Sequence, residues 1–271
     1  MVSAPRSACT TMDRALTFVA LPAEGRVFSD ERTVRLADAG PDRRARLDAL
    51  ARYLHDVAED DASEAGLSAS IGWVLRKTRM LIGQFPLLGD TLRVDTFCSA
   101  VGRRWAERTT IFTAQRGPVA QAVSVWVAID RSTGAAARLD GRFHEVYAPS
   151  AAGRRVLARL VLPPPPDGAR HRARPWTLRR SDFDVWAHVN NAVSWAAVED
   201  AVDPARWLPL LADLEHVRAI EPGAGVVMAT EVNADGADVW LIDADSQSRG
   251  SGAVFSAARL GPARLTTSEG P

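Results

Sequence analysis

The stretch from Asp182 to Asn191 combines side chains that are able to move protons next to an acyl group. Asp184 carries a carboxylate that suits a general base or a nucleophile, and His188 suits proton transfer to a leaving group. A helix is predicted to begin here, and the first N–H groups of a helix lack intrahelical partners and lie at the positive end of its dipole. Such a terminus polarises a carbonyl and stabilises the negative charge that develops on it. The stretch therefore favours attack on an activated acyl group.

The same stretch is also typical of an ordinary helix start. Asparagine, aspartate and serine are preferred N-caps, so Asn190 or Asn191 would then only cap the helix. His188 would then only complete the loop. Because short motifs often match by chance, the spacing alone leaves both interpretations open.

Two similar halves make up the chain, and a proline-rich stretch at 162–175 separates them. Helical spacing of apolar residues from Leu47 to Ala58 predicts a helix in the first half, with Asp42 as its N-cap and Gly66 as its stop. Strands are predicted around it at 28–38, 70–82, 90–102, 106–117 and 120–130. The second half repeats this order, with a helix at 190–202 and strands at 175–184, 214–223, 225–236, 237–247 and 251–260. The repeat predicts an α+β fold in which one helix lies against each curved antiparallel sheet and the two sheets pair.

Residues 182–194, DFDVWAHVNNAVS, resemble a motif of the acyl–acyl carrier protein (acyl-ACP) thioesterases of plants and bacteria. These enzymes have a double hotdog fold, and their second half carries the pattern D-x-D-x-N-x-H-V-N-N-x-x-Y. The first half is similar as well: the stretch GWVLRKTRMLIGQFPLLGDTLRVDTFCSAVGRRWAERTTIF contains the family's P-x-x-G-D turn and G-R strand. The resemblance covers roughly residues 28–260.

The resemblance implies a catalytic role for Asp184 and His188, which fall on the family's aspartate and histidine. The family's asparagine falls on Trp186 and its tyrosine on Ser194. An indole has one donor and no acceptor, so Trp186 cannot hold a water as an amide does. It would instead narrow the pocket or stack on a planar substrate.

The family also carries a further acid two strands on, and Ala219 stands at its place. Glu215 and Glu221 lie nearby in sequence. If a strand continues through this segment, Glu221 lies on the same face as Ala219 and would substitute for the missing acid, whereas the adjacent Pro222 favours a turn.

The resemblance implies two tandem hotdog domains at 26–150 and 176–271, after an N-terminal extension at 1–25 and around a Pro/Arg-rich connector at 151–175. It implies hydrolysis of a fatty acyl or polyketide-type thioester on the phosphopantetheine arm of an acyl carrier protein, with no metal or redox cofactor. The chain is expected to run between helix and sheet. Its predicted contacts are Trp73, Met80, Trp186, Asn190 and Asn191.

Two other functions remain open at this stage. Hotdog folds also host dehydratases, so a dehydratase, isomerase or cyclase that acts on a carrier-bound chain is one alternative. A non-catalytic acyl- or carrier-binding protein is the other, because function depends on the site and not on the fold.

The predicted first helix carries a second group of titratable residues. His55 and Glu59 are four residues apart, which places them on one face. Some hotdog enzymes use an acid on this helix. A charge run of this kind more often forms a solvated helix end, and the sequence favours that interpretation.

Composition excludes several kinds of partner. The 271 residues carry 33 basic and 33 acidic side chains, so no net charge recruits nucleic acid or a membrane surface. The sequence shows no apolar run of about 18 residues and no signal-peptide core, so we expect a cytoplasmic protein without a membrane span. Cys9 reads as part of a loose N-terminus, so no structural disulfide is expected, and Cys98 is expected in the core.

Arginines flank the connector. Carrier proteins are typically acidic, so we expect some of these arginines to steer carrier docking. The sequence leaves a homodimer open. The arginines concerned are Arg154, Arg155, Arg170, Arg172, Arg174, Arg179 and Arg180.

Overall fold

The computed structural model describes residues 18–67, 71–248 and 253–263, so the expectation about Cys9 lies outside the described residues. The first half contains helices α1 (Leu47–Glu64) and α2 (Gly141–Ala151) and strands β1 (Phe28–Thr33), β2 (Gly72–Ile82), β3 (Thr91–Val101), β4 (Trp105–Ala114) and β5 (Gly117–Ile129). The connector and second half contain helices α3 (Asp167–His171), α4 (Asn191–Ala201) and α5 (Ala244–Ser248) and strands β6 (Arg174–Pro175), β7 (Leu210–His216), β8 (Val226–Asn233), β9 (Gly236–Asp243) and β10 (Val254–Pro262).

The described strands form one ten-stranded antiparallel sheet in the order β1-β3-β4-β5-β2-β7-β10-β9-β8-β6. The second half mirrors the first, since β6 corresponds to β1, β7 to β2 and so on to β10 and β5. The halves meet where β2 pairs with β7, in a register that runs from Lys77 opposite Glu215 to Ile82 opposite Leu210. The predicted α+β repeat of helix and antiparallel strands is confirmed.

The main core lies between one face of the sheet, here called the inner face, and helices α1 and α4. Both helices present apolar side chains to it, and their burial supplies most of the free energy that holds them there. Alternation along each strand places every second residue on the inner face. The central members of the main core are Leu50 and Leu54 of α1, Trp195 and Val198 of α4, Met80 and Ile82 of β2, and Leu210 and Ala212 of β7.

The predicted N-cap of the first helix is wrong. Asp42 instead accepts a hydrogen bond from Arg44 Nε (2.6 Å) in the preceding turn, and α1 begins only at Leu47. The predicted stop is confirmed, because Gly66 follows the C-cap residue of α1 with a φ of 69° that glycine adopts without strain.

The predicted strand at 175–184 is also wrong. Only Arg174 and Pro175 pair with β8, and Arg180–Asp182 forms a 3-10 turn. The Asp182 carboxylate accepts the Arg179 N–H (2.7 Å), and such local side-chain bonds compete with strand pairing. The strand predicted at 214–223 instead begins at Leu210 and ends at His216.

Helix α2 was not predicted. Its N-cap is Asp140, which accepts the Phe143 N–H (2.8 Å), and Phe143 and Tyr147 are buried one turn apart. Pro149 inside the helix and the short apolar face obscure its periodicity. The helix packs on β3 and covers the part of the first-half sheet that α1 leaves open.

Helices α1 and α4 pack side by side, with the start of α1 next to the end of α4. The first N–H of α1, on Leu47, donates to the Glu199 carboxylate near the end of α4 (2.9 Å). The helices are therefore antiparallel neighbours. Burial, with Asp48 adding to it, raises the pKa of Glu199 to about 7, although the bond from Leu47 opposes the shift.

We predict that Glu199→Gln stabilises the protein at pH 8. The carboxyl has a pKa of about 7 in the folded chain and a model value of 4.5, so the folded state binds its proton more tightly and wild-type stability falls as pH rises from about 4.5 to above 7. Glutamine keeps an acceptor for the Leu47 N–H without the buried charge. Thermal unfolding at pH 8 should therefore be a few degrees higher in the variant, and the difference should vanish near pH 4.5. The exposed Glu145→Gln serves as the control, and an equal effect of both variants would contradict the assignment.

Candidate active site

The loop between β6 and α4 fixes the carboxylate of Asp184. Its Oδ1 accepts the N–H groups of Trp186 (2.9 Å) and His188 (3.3 Å), and its own N–H donates to the His188 carbonyl (2.8 Å). Ala187 closes the turn with a φ of 59°, in the left-handed region. Oδ2 makes no hydrogen bond within the described part of the chain. One carboxylate oxygen is thus anchored, and the other is free for chemistry.

Buried groups anchor the two ends of this loop. The carboxylate of Asp182 pairs with Arg179 (2.9 Å), and its carbonyl accepts the N–H of Asn190 (2.8 Å). The Val189 N–H donates to the Ile220 carbonyl (3.0 Å) just beyond β7. The loop is therefore tied to the start of α4 and to the segment that follows β7.

The start of α4 has one capped and one open amide. Asn190 Oδ1 accepts the Ala192 N–H (2.9 Å), so the prediction that an asparagine caps this helix is confirmed. The Asn191 N–H has no hydrogen-bond partner among the described residues. Ser194, where the family motif has tyrosine, is buried in the first turn.

His188 and Trp186 lie on the outside of the loop. The His188 side chain is exposed, and its imidazole makes no hydrogen bond in the ranges that the structure covers. Trp186 is 61% exposed, and its ring lies 5.6 Å from the Arg131 guanidinium of the first half. Arg131 Nε in turn donates to the Ile71 carbonyl (3.3 Å). The loop of the second half therefore touches the first half at the start of β2.

A cavity opens in the first half beside Ile71. It encloses about 650 Å³, including its open mouth, between α1, α2 and the inner face of the sheet. Trp73 lines it, as predicted for a substrate contact. Met80 does not line it: this side chain is 1% exposed and packs in the main core. The apolar lining consists of Ala58, Ala62, Leu67, Ile71, Trp73, Cys98, Ala106 and Phe143, with Trp126 and Tyr147 beside them.

The antiparallel packing of α1 and α4 relates the cavity to the loop. Leu47 lies opposite Glu199. Eight residues further along α1 is His55, and eight residues back along α4 is Asn191. Both helices rise about 1.5 Å per residue, so His55 lies close to the level of the open α4 terminus.

The sequence favours a solvated helix end for His55 and Glu59, and the structure contradicts this interpretation for His55. Both side chains line the cavity. Burial lowers the pKa of His55 to about 4, so its imidazole is neutral at pH 7, and the ring packs edge-on against Trp126 at 5.5 Å. Asp56 and Asp60 on the other side of the helix are exposed, as predicted.

A buried ion pair closes the inner side of the cavity. Asp61 is completely buried and pairs with Arg108 (2.6 Å) and with Arg26 (2.5 Å), and it accepts the Tyr147 hydroxyl (2.8 Å). Opposite charges and the hydroxyl together satisfy the carboxylate in a place from which water is excluded. Cys98 lies beside this group, buried as predicted, and burial raises the pKa of its thiol to about 12.

The expected further acid is not supplied by Glu215. This residue lies on the outer face of β7, where its carboxylate accepts the N–H groups of Val161 (2.8 Å) and Leu162 (3.0 Å) of the connector. Ala219 is exposed and lies beyond the end of β7. Glu221 is exposed too, and the argument that it shares a strand face with Ala219 fails because no strand continues there.

Neither a metal-binding cluster nor a membrane-spanning helix occurs among the described residues. No cluster of three histidine, cysteine, aspartate or glutamate side chains comes together there to hold a metal ion. None of the helices described has the length and apolarity that crossing a bilayer requires.

The first half matches a known domain. Residues 25–147 match the family model of the acyl-ACP thioesterase N-terminal domain. This half of the chain is therefore similar to the N-terminal domain of acyl-ACP thioesterases. A palmitoyl-acyl carrier protein thioesterase of Gossypium hirsutum chloroplasts is 24% identical over 192 residues, which cover 64% of this chain and 46% of that enzyme. An uncharacterised protein of Mycobacterium tuberculosis is 25% identical over 228 residues, 82% of this chain and 90% of that protein. The chain spans about half the length of the plant enzymes it matches.

Solved structures of acyl-ACP thioesterases share the architecture. A putative oleoyl thioesterase of Lactobacillus plantarum matches with a TM-score of 0.70 and 19% identity, over 90% of this chain and 100% of that chain. The 12:0-ACP thioesterase of Umbellularia californica matches with a TM-score of 0.70 and 20% identity, over 88% and 97%. At these identities the likeness shows the fold, and the predicted pair of hotdog units is confirmed.

We predict that Asp61→Ala lowers the free energy of unfolding by about 3–5 kcal/mol, because it leaves the buried Arg108 guanidinium without its partner. Denaturant unfolding measures the change. Asp30→Ala, which breaks the partly exposed pair with Arg32, is the matched control and should cost no more than about 1 kcal/mol. Adding Arg108→Met to Asp61→Ala should restore part of the stability, and a double variant less stable than Asp61→Ala would count against a buried charge pair.

Proposed function

We propose that this chain hydrolyses the thioester that joins a fatty acyl or polyketide-type chain to the phosphopantetheine arm of an acyl carrier protein. The observation that carries the proposal is a fixed carboxylate and an open helix terminus in the second half, level with a cavity of the first half. The relationship to acyl-ACP thioesterases supports the same reaction.

The cavity suits the acyl chain. Its lining is mainly apolar and aromatic, and burial of the chain against such a surface provides binding free energy. Trp73 lies in the lining, and Trp186 stands with Arg131 at the neighbouring edge. In this proposal the phosphopantetheine arm enters past Trp186, whose ring narrows the passage.

The loop and helix supply the groups that hydrolysis requires. The thioester carbonyl oxygen accepts the open N–H of Asn191, where the helix dipole stabilises the negative charge of the tetrahedral intermediate. Oδ2 of Asp184 takes a proton from the attacking water as the new C–O bond forms. The C–S bond then breaks, and the proton held by Asp184 is passed through His188 to the leaving thiolate. As a nucleophile, Oδ2 would instead attack the carbonyl carbon, and water would then cleave the anhydride.

We predict that Asp184→Asn lowers thioester turnover by about 10²-fold or more. Asparagine Oδ1 still accepts the N–H groups of Trp186 and His188, so the turn is kept while the base or nucleophile is lost. Release of free acid from an acyl-carrier substrate, followed by mass spectrometry, measures the effect.

Two comparison variants locate the carboxylate that acts. Asp235→Asn, at the distant β8–β9 turn, should leave turnover unchanged. Glu59→Gln tests the acid in the cavity lining. Full activity of Asp184→Asn with loss of activity in Glu59→Gln would move the reactive carboxylate to α1. A chain that is altered but still attached to the carrier would indicate dehydration or isomerisation instead of hydrolysis.

The connector arginines divide into two groups. Arg154 is used internally, with Nε donating to the Ser99 carbonyl (2.7 Å), and Arg174 and Arg179 pair with aspartates. Three are exposed and make no ion pair among the described residues: Arg155, Arg172 and Arg180. Arg180 stands four residues before Asp184, so it is the arginine that we propose to meet the acidic carrier. A homodimer and a cytoplasmic location stay predictions.

We predict that Arg180→Glu lowers kcat/KM several-fold for an acyl-carrier substrate, because reversing the charge slows association with an acidic partner. The same variant should turn over the acyl-coenzyme A of the same chain at the wild-type rate. Arg35→Glu, an exposed arginine beside α1, is the charge-matched control. An equal loss on both substrates would argue against a docking role.

A further inference from the structure

Four polar side chains of α1 and of the inner face of β2, β5 and β7 have no hydrogen-bond partner among the described residues. Nε1 of Trp126, Nε2 of His216 and Oγ1 of Thr78 are buried and unpartnered. The half-buried imidazole of His55 makes no hydrogen bond in the described part of the chain. These four residues are here called the polar cluster.

The register of the sheet brings the cluster together. Thr78 pairs with Ser124 of β5 on one side and with Leu214 of β7 on the other. Trp126 lies two residues beyond Ser124, and His216 lies two residues beyond Leu214. Both side chains therefore lie on the inner face with Thr78, as its diagonal neighbours. His55 comes down from α1, with its ring 5.5 Å from that of Trp126.

Two other polar groups of the cavity lining are already satisfied. Arg108 pairs with Asp61, and the Tyr147 hydroxyl donates to the same carboxylate. The polar cluster has no equivalent arrangement among the described residues. Trp126 and His55 line the same cavity, whereas Thr78 and His216 are not part of its lining. Buried polar groups are normally hydrogen-bonded, so the cluster requires a partner that the chain itself does not provide.

The imidazoles of the cluster are uncharged at neutral pH. Burial, with His55 and Arg76 adding to it, lowers the pKa of His216 to about 3. A neutral imidazole offers one donor and one acceptor, whereas the Trp126 indole only donates. The missing partner therefore has an oxygen atom that accepts hydrogen bonds, as a hydroxyl or a carbonyl does. A saturated hydrocarbon chain offers none.

The position of the cluster also indicates where this oxygen lies along the acyl chain. His55 is close to the level of the Asn191 N–H, where the proposed function places the thioester carbonyl. The inference therefore places the oxygen near the carbonyl end of the chain and not at its far end.

We propose that the polar cluster is a binding subsite for an oxygen atom near the carbonyl end of the chain, so that the preferred substrates are 3-hydroxyacyl and 3-oxoacyl thioesters. This inference rests on the proposed function. It assigns Trp126 and His216 to substrate selection, and hydrolysis itself does not depend on them.

Binding of non-hydrolysable analogues tests the subsite without turnover. The probes are pantetheine amides of dodecanoic, 3-hydroxydodecanoic and 3-oxododecanoic acid, titrated by calorimetry. The wild-type chain should bind the two oxygenated amides more tightly than the plain one. Trp126→Phe and His216→Leu should each reduce that preference about tenfold, as expected for the loss of one hydrogen bond.

Trp73→Phe is the matched control, because it shortens a tryptophan of the same cavity whose Nε1 is not among the buried unpartnered atoms. It should keep the preference. Circular dichroism of each variant checks that it is folded.

Several outcomes would overturn the inference. Equal binding of all three amides by the wild-type chain would mean that ordered water alone satisfies the cluster. A preference that survives both Trp126→Phe and His216→Leu would place the selecting groups elsewhere, and binding of none of the amides would remove the subsite. A binding preference without release of acid from the matching thioesters would leave the subsite in place and overturn the proposed hydrolysis instead.

Discussion

The pairing of β2 with β7 is the interaction on which the rest of this structure depends, because it joins two five-stranded sheets into one. On the outer face of that seam, Glu215 holds the connector through the N–H groups of Val161 and Leu162, and Lys77 Nζ donates to the Arg159 carbonyl (3.1 Å). On the inner face, the same pairing brings α1 and α4 side by side. The cavity of one half consequently lies beside the Asp184 loop of the other half, where Trp186 packs on Arg131.

The interior beneath the inner face of the sheet contains buried polar groups of two different kinds. Asp61 and Arg108 neutralise each other, so breaking that pair exposes the full cost of a buried charge. The indole of Trp126 and the imidazole of His216 are neutral groups without partners. Neutral groups of this kind cost far less to bury than charges, so the fold tolerates them.

Much of the architecture could be predicted from the sequence, because helix and strand periodicities are local. The four strands from β2 to β5 lie close to their predicted ranges, and α4 begins within a residue of its prediction. The strand predicted at 175–184 failed because side-chain bonds of Asp182 replace sheet pairing there. Periodicity also does not distinguish residues that line a cavity from residues that pack in the core. Met80 belongs to the same core cluster as the large Leu50 and Leu54, whereas the small Ala58 and Ala62 line the cavity.

The duplicated fold makes the starts of α1 and α4 equivalent, and they are used in opposite ways. At one of them the Glu199 carboxylate occupies the Leu47 N–H. At the other the Asn191 N–H is open, and the residue that corresponds to Glu199, eight positions into the facing helix, is the neutral His55. One of the two related helix starts is thus already bonded to a carboxylate of the chain itself. A single carboxylate on α4 thus makes the two related helix starts chemically different.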